Sequence, residues 1–243
     1  SNGEVRNLHM DLEQNRLMQR MNMLAALEKR FVDEGRGAAA EDHAKILNKT
    51  LSLMTSKQMD AFKVNKEPKE MLDRYGASGF GRGCLMARRL VEAGVPFVEV
   101  DLGGWDTHAN NFRTLGDRLL PELDKAMSAL VEDLAQRGLL QDTAVLWMGE
   151  FGRTPNINGD SGRDHWARSW SVVVGGAGLK GGIAVGETSP DGREVTTEPY
   201  SAQDLMATLL KSLGISLDTT FTTKNNRPKK IANSGKVIKE LFV

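Results

Sequence analysis

Three short polar motifs contain the side chains of this chain that are best suited to bind a metal ion or an anion. They are Asp106 and His108 in the first motif, Glu150 and Arg153 in the second, and Arg163, Asp164 and His165 in the third. Carboxylates combined with imidazoles suit zinc, manganese or iron, whereas carboxylates alone suit calcium or magnesium. Such a metal can lower the pKa of a bound water to roughly 7 and polarise a phosphoryl or sulfuryl oxygen. The motifs therefore predict a divalent metal site for a small anionic ester.

These seven residues divide into candidate ligands and candidate catalytic groups. The candidate ligands are Asp106, His108, Glu150, Asp164 and His165, and the candidate catalytic residues are Glu150, Arg153 and Arg163. The planar donor fork of an arginine fits a pair of anionic ester oxygens. Each motif also has a plainer interpretation: turn residues, a histidine oriented by its neighbouring aspartate, or an ion pair between Glu150 and Arg153. Their joint placement along the chain favours a functional site.

The elements around the motifs predict that they meet at one edge of a sheet. Residues 96–102 and 143–148 are apolar runs typical of strands, and the leucines from Leu119 to Leu134 indicate a long amphipathic helix between them. Strand, helix and strand at this spacing predict a crossover connection, and hence a parallel pair. A further strand is predicted at residues 171–174. Ligands of open parallel sheets bind beyond the carboxyl ends of the strands, where the loops with the three motifs would lie.

The N-terminal part of the chain is predicted to be helical. Leu17, Met21 and Leu24 have the spacing of one helix face. We therefore divide the chain into a helical extension of residues 1–93, packed on an α/β domain of residues 94–243. A different interpretation makes the apolar face of the extension a surface for a partner or for a homo-oligomer.

The composition excludes several classes of protein. The chain has 243 residues with 40% hydrophobic content, enough for a sizeable core. Basic and acidic residues balance at 32 each, so the overall basic excess of a nucleic-acid binder is absent. The single Cys84 rules out a thiolate-rich structural zinc site, and no apolar run approaches the roughly 18 residues of a membrane span. The basic segment from Lys224 is interpreted as a solvated surface.

Three stretches of sequence resemble the signatures of a known family. They are Gly104-Trp105-Asp106-Thr107-His108, Gly149-Glu150-Phe151-Gly152-Arg153-Thr154-Pro155 and Gly162-Arg163-Asp164-His165-Trp166. On these motifs the chain resembles a large bacterial family of unknown function that is grouped with sulfatases in the alkaline phosphatase superfamily. Further similarity at residues 74–76, 87–94 and 227–228 extends the resemblance over nearly the whole chain.

This resemblance implies a three-layer α/β/α fold with a mostly parallel sheet, whose N-terminal strands lie outside this chain. It implies a metal-dependent hydrolase of phosphate or sulfate esters, in a longer exported or periplasmic protein whose N-terminal part supplies the nucleophile. The superfamily order implies that Asp106 and His108 bind one metal and that His165 completes its site. The chain departs from that order at Phe151, which replaces a metal-binding histidine and cannot ligate a metal. This departure favours the alternative hypothesis, a degenerate, non-catalytic binding module of the same fold.

Overall fold

The computed structural model describes residues 13–33, 38–54 and 57–242. Residues 1–12, 34–37, 55–56 and 243 lie outside this description, and with them parts of the predicted helical extension. The chain divides into two compact units, of which the first comprises Ser1–Asp73 and Ala77–Val100, and the second comprises Arg74–Gly76 and Asp101–Val243. Within the described residues no helix is long and apolar enough to cross a membrane.

The described part of the first unit is helical. Its elements are α1 (Gln14–Asp33), α2 (Ala38–Met54), two short 3-10 helices (Lys57–Phe62 and Val64–Lys66), the start of α3 (Lys69–Tyr75) and α4 (Gly79–Glu92). Helix α4 begins where Ser78 accepts a hydrogen bond from the Gly81 amide at 3.0 Å, because a serine at this position satisfies a free N–H of the first turn. The side chain of Arg88 is 2% exposed and forms an ion pair of 2.9 Å with Glu67.

The second unit combines helices with three small sheets. Its helices are α5 (Asn111–Thr114), a π-helical turn (Leu115–Leu119), α6 (Leu120–Gln136) and α7 (Ala202–Ser212). Its strands are β1 (Ala144–Trp147), β2 (Gly152–Arg153), β3 (His165–Trp166), β4 (Val173–Gly176), β5 (Thr220–Thr222) and β6 (Pro228–Lys230). The helix predicted at residues 119–134 and the strands predicted at residues 143–148 and 171–174 are confirmed with small shifts of their ends.

The predicted three-layer fold with a mostly parallel sheet is wrong. The described residues form three antiparallel pairs, β1 with β4, β2 with β3, and β5 with β6. Between β1 and β4 the chain contains the short β2–β3 pair and loops, without the helical crossover that a parallel pair needs, and the two strands run in opposite directions. Residues 96–102, predicted as a strand, form no strand and have no ladder partner within the described part of the chain.

Helix α6 supplies much of the core of the second unit. It buries Leu123, Ala126, Ala129 and Leu134 on one face, of which the two leucines belong to the predicted apolar face. The left-handed Gly138 (φ 70°) follows its end. Asp133 on the same face is 2% exposed and accepts hydrogen bonds from Tyr75 Oη at 3.1 Å and from Arg137 Nε at 2.7 Å. Because its buried carboxylate is hydrogen-bonded to these neighbours, it is compatible with an apolar core.

Helix α7 and the C-terminal segment form the second core region of this unit. Ser201 and Asp204 make a reciprocal capping box at the start of α7. The fully buried Thr208 accepts a hydrogen bond from the Ile238 amide at 2.9 Å. Ala207 and Leu210 pack on Ala232, so the basic segment is attached to the helix through its backbone and its apolar side chains.

Candidate metal centre

Strands β2 and β3 bring the second and third motifs together. They pair so that Arg153 lies opposite His165 and Gly152 opposite Trp166. A side chain at position 152 would overlap the carbonyl oxygen of Ser169, so this close backbone approach requires glycine. The pairing places the guanidinium of Arg153 and the imidazole of His165 on neighbouring strands.

Backbone contacts attach the first motif to the same loop. The Arg163 amide donates to the Thr107 carbonyl at 3.1 Å, and the Asn111 amide donates to the Ser161 carbonyl at 3.0 Å. Trp105, at the start of the motif, makes an edge-to-face contact with Trp147 of β1 at a centroid distance of 6.2 Å. The loop after residue 102 is therefore held against both the third motif and the β1–β4 pair.

Three potential ligand atoms converge where the loops meet. His108 Nε2 lies 3.1 Å from His165 Nε2, and these nitrogens lie 3.0 Å and 2.9 Å, respectively, from Asp106 Oδ1. Metal bonds of roughly 2.0–2.2 Å put neighbouring ligand atoms roughly 2.8–3.6 Å apart in octahedral or tetrahedral sites. An ion above this triangle therefore fits with movements of a few tenths of an ångström. These three residues could thus hold a metal ion.

Asp164 contacts the opposite ring nitrogen of His108. Its Oδ1 lies 2.7 Å from His108 Nδ1 and accepts a hydrogen bond from Asn158 Nδ2 at 3.2 Å. The bonds from His108 and Asn158 hold the pKa of the Asp164 carboxyl below its ordinary value. Because an ionised carboxylate only accepts hydrogen bonds, Asp164 can bond to Nδ1 of His108 only when this nitrogen carries a proton; the lone pair of a neutral ring is then on Nε2.

Arg153 lies beside the cluster and contacts its carboxylate. Its Nη1 donates to Asp106 Oδ1 at 2.6 Å, and its Nη2 lies 3.5 Å from Glu150 Oε1. Hydrogen bonds from His165 and then from Arg153 lower the pKa of Asp106 to about 2. The carboxylate is therefore ionised at neutral pH, the state in which it can bind a cation.

The cluster is open to solvent on one side and apolar on another. The side chains of Asp106, His108 and His165 are 65%, 46% and 52% exposed. The ring of Phe151 packs against that of His165 at a centroid distance of 4.6 Å, and Arg153 lies over the same phenyl ring. Water or a small ligand can therefore reach the ligand atoms from the exposed side.

The predicted site residues have different surroundings in the structure. Asp106, His108 and His165 meet directly, whereas Asp164 reaches the cluster through His108 and Glu150 reaches it through Arg153. The guanidinium of Arg163 donates to the carbonyls of Thr154 and Pro155 at 2.6 and 2.7 Å. It also lies 5.5 Å from the centre of the Phe112 ring. These contacts attach the second motif to the third.

Sequence reasoning missed Asn158, which contacts both loops. Its Nδ2 donates to the His108 carbonyl at 2.9 Å, and its Oδ1 accepts from the Asp160 and Gly162 amides at 3.1 and 2.9 Å. The run Asn158-Gly159-Asp160-Ser161-Gly162 is typical of a turn, and asparagine side chains commonly bond to nearby backbone in turns. That signal could have identified the local bonds, but not the contact with His108.

Comparisons with known proteins give a family and no function. A family model described as a protein of unknown function (DUF1501) matches residues 3–242. No curated protein matches, and no solved structure matches. The matching model is not a sulfatase or alkaline phosphatase family, so the expected membership of that superfamily is wrong. The expectation of unknown function agrees with the match.

Proposed function

We propose that this chain, which belongs to the DUF1501 family of proteins of unknown function, binds a divalent metal and hydrolyses a small anionic ester. The ion would be zinc, manganese or iron, and the substrate a phosphate or sulfate ester. The observation that carries the proposal is the convergence of Asp106 Oδ1 with the Nε2 atoms of His108 and His165 at 2.9–3.1 Å. Two imidazoles and one carboxylate are a donor set suited to these metals.

The exposed side of the cluster leaves space for a substrate and for water. When bound, the metal would supply Lewis acidity toward an ester oxygen and would lower the pKa of a coordinated water toward roughly 7. Arg153 is 19% exposed and keeps its guanidinium beside Asp106. In the proposed reaction it holds the anionic oxygens of the ester and so orients the substrate at the cluster.

Metal analysis of histidine variants tests the binding step. Protein purified without chelator or a histidine tag should contain near-stoichiometric metal, and His108→Ala or His165→Ala should lose it. His43→Ala is the matched control, because His43 is an exposed histidine on α2 that bonds to Glu28. Stoichiometric metal in both site variants would contradict the assignment.

Turnover of p-nitrophenyl phosphate and p-nitrophenyl sulfate by the metal-loaded protein tests the chemical step. Arg153→Ala should lower kcat/KM by roughly 10- to 100-fold, the effect of losing one hydrogen bond to a charged group. The control Arg113→Ala changes an arginine that is 86% exposed and pairs with Asp117. Equal turnover in the Arg153 and Arg113 variants would remove Arg153 from the proposed reaction.

A metal-binding module without catalytic activity is the second candidate. Phe151 favours it, because a phenyl ring packs on His165 in a position next to the cluster and contributes no ligand or proton donor. Stoichiometric metal together with no turnover of either ester would favour this candidate over the hydrolase.

A further inference from the structure

The side of His108 that faces away from the ligand triangle contacts a polar network. Its Nδ1 lies 2.7 Å from Asp164 Oδ1, and its backbone carbonyl accepts a hydrogen bond from Asn158 Nδ2 at 2.9 Å. The same Asn158 nitrogen lies 3.2 Å from Asp164 Oδ1. Asn158 therefore binds both the backbone of the histidine and the carboxylate that contacts its ring.

The orientation of the Asn158 amide follows from its other contacts. Its Oδ1 faces the amide N–H groups of Asp160 and Gly162, which can only donate. The NH₂ group must consequently point toward the two acceptors, the His108 carbonyl and the Asp164 carboxylate. A reversed amide would place donors against donors and acceptors against acceptors, so the observed direction is the one that satisfies every partner.

We infer that Asp164 and Asn158 are positioning residues that hold His108 in its Nδ1–H tautomer, with Nε2 directed at the ligand triangle. The inference rests on the proposed function only for its metal-binding consequence. A carboxylate bonded to the distal nitrogen of a histidine ligand fixes the orientation of the ring and raises its basicity. Asp164 would thus support the ligand His108 without binding the metal itself. Its residue type and its position in the sequence had predicted that Asp164 is a ligand.

The first test uses the metal-free protein and measures the tautomer directly. In ¹⁵N NMR spectra of the neutral ring, His108 of the wild type should show a protonated Nδ1 and an unprotonated Nε2. Asp164→Ala should shift the ring toward the other tautomer, and Asp164→Glu should restore part of the original form. Asp160→Ala is the matched control, since it removes an exposed carboxylate from the same loop.

The second test measures zinc affinity by competition with a chromogenic chelator. Asp164→Ala and Asn158→Ala should weaken zinc binding by roughly 10- to 100-fold, the usual effect of losing such a supporting group. Far-UV circular dichroism of each variant checks that it remains folded. Asp160→Ala should bind zinc as the wild type does.

The combined outcomes separate this inference from the proposed function. An unchanged tautomer in Asp164→Ala would overturn the inference, and a loss of zinc with an unchanged tautomer would assign Asp164 as a ligand instead. If the tautomer changes as expected but the wild type binds no metal, the positioning role stands and the proposed function fails.

Discussion

The geometry of the candidate metal centre depends on close backbone approaches as well as on its ligands. His108 belongs to one loop and His165 to another, and the backbone of Gly162 lies against the carbonyl of His108. The Gly162 amide also donates to Asn158 Oδ1 at 2.9 Å. Without a side chain at this position, the two loops come close enough for their imidazole nitrogens to lie 3.1 Å apart. Gly162, which has no side chain to bind a metal, thus allows the short distance between His108 and His165.

Gly162→Ala should destabilise the protein and weaken metal binding. Its Cβ would overlap the backbone carbonyl of His108, which no side-chain rotation can relieve. We expect the free energy of unfolding to fall by about 2 kcal/mol, a typical effect of overpacking, when it is measured by urea denaturation. Zinc affinity should fall as well, because the two loops must separate.

Gly159→Ala is the matched control for this substitution. Gly159 lies in the same loop, and a Cβ there would meet no atom within 4 Å. Its free energy of unfolding should change by less than about 0.5 kcal/mol. Similar losses of stability in the two variants would show that the contact with His108 is not the cause.

The carboxylate of Asp204 joins two elements of the second unit. Asp204 accepts the Ser201 amide within the capping box and, through its other oxygen, the Lys236 amide at 2.7 Å. It thereby joins the start of α7 to the C-terminal segment. The backbone bond from Lys236, followed by the bonds from Ser201, lowers the pKa of Asp204.

The attachment of this segment should weaken in acid. Since the pKa of Asp204 is lower in the folded protein than the roughly 3.9 of an unfolded chain, its stabilisation is present above about pH 4. It is lost as the pH falls through the folded-state pKa. The Lys236 amide should therefore lose its protection against hydrogen exchange below about pH 4. Exchange rates at different pH values are compared after correction for the intrinsic rate at each pH.

Asp204→Asn should remove this dependence on pH, because an amide does not titrate in this range. Its single oxygen can still accept the Lys236 amide, whereas the Ser201 amide loses its acceptor. Asp218→Asn is the control, since Asp218 pairs with Lys230 and has no bond to Lys236. Retention of the full pH dependence in Asp204→Asn would assign the effect to another group.

At the scale of the whole molecule, the candidate ligands all belong to the second of the two compact units. A ligand that binds only the folded state stabilises that state by mass action. The metal should therefore stabilise the unit that contains Asp106, His108 and His165.

Export and formation of a homo-oligomer are separate expectations, and both stay predictions.

Zinc should raise the free energy of unfolding of the second unit by about 2.7 kcal/mol at a free concentration of 100 times its Kd. Hydrogen exchange followed by mass spectrometry should show the added protection in β2, β3 and α6. His108→Ala should show none of this gain. The same protection in His108→Ala would mean that zinc acts at another place in the chain.

The sequence by itself predicted helix α6 and the residues of the cluster. Helix α6 was predicted because the leucines from Leu119 to Leu134 have helical spacing. Asp106, His108 and His165 were predicted as ligands, and the structure brings them together. Residue type alone did not separate these three from Asp164 and Glu150, which were predicted as ligands too and which contact His108 and Arg153.

The tertiary structure alone decided the strand pairing and the surroundings of each polar side chain. A strand is defined by the ladder it forms with a partner, and the apolar run at residues 96–102 specifies no partner. Motif spacing likewise does not specify which ring nitrogen Asp164 contacts, or that Asn158 reaches across the loop to His108. These contacts join residues about 50 positions apart along the chain, so they depend on how the loops pack and in which direction each side chain points.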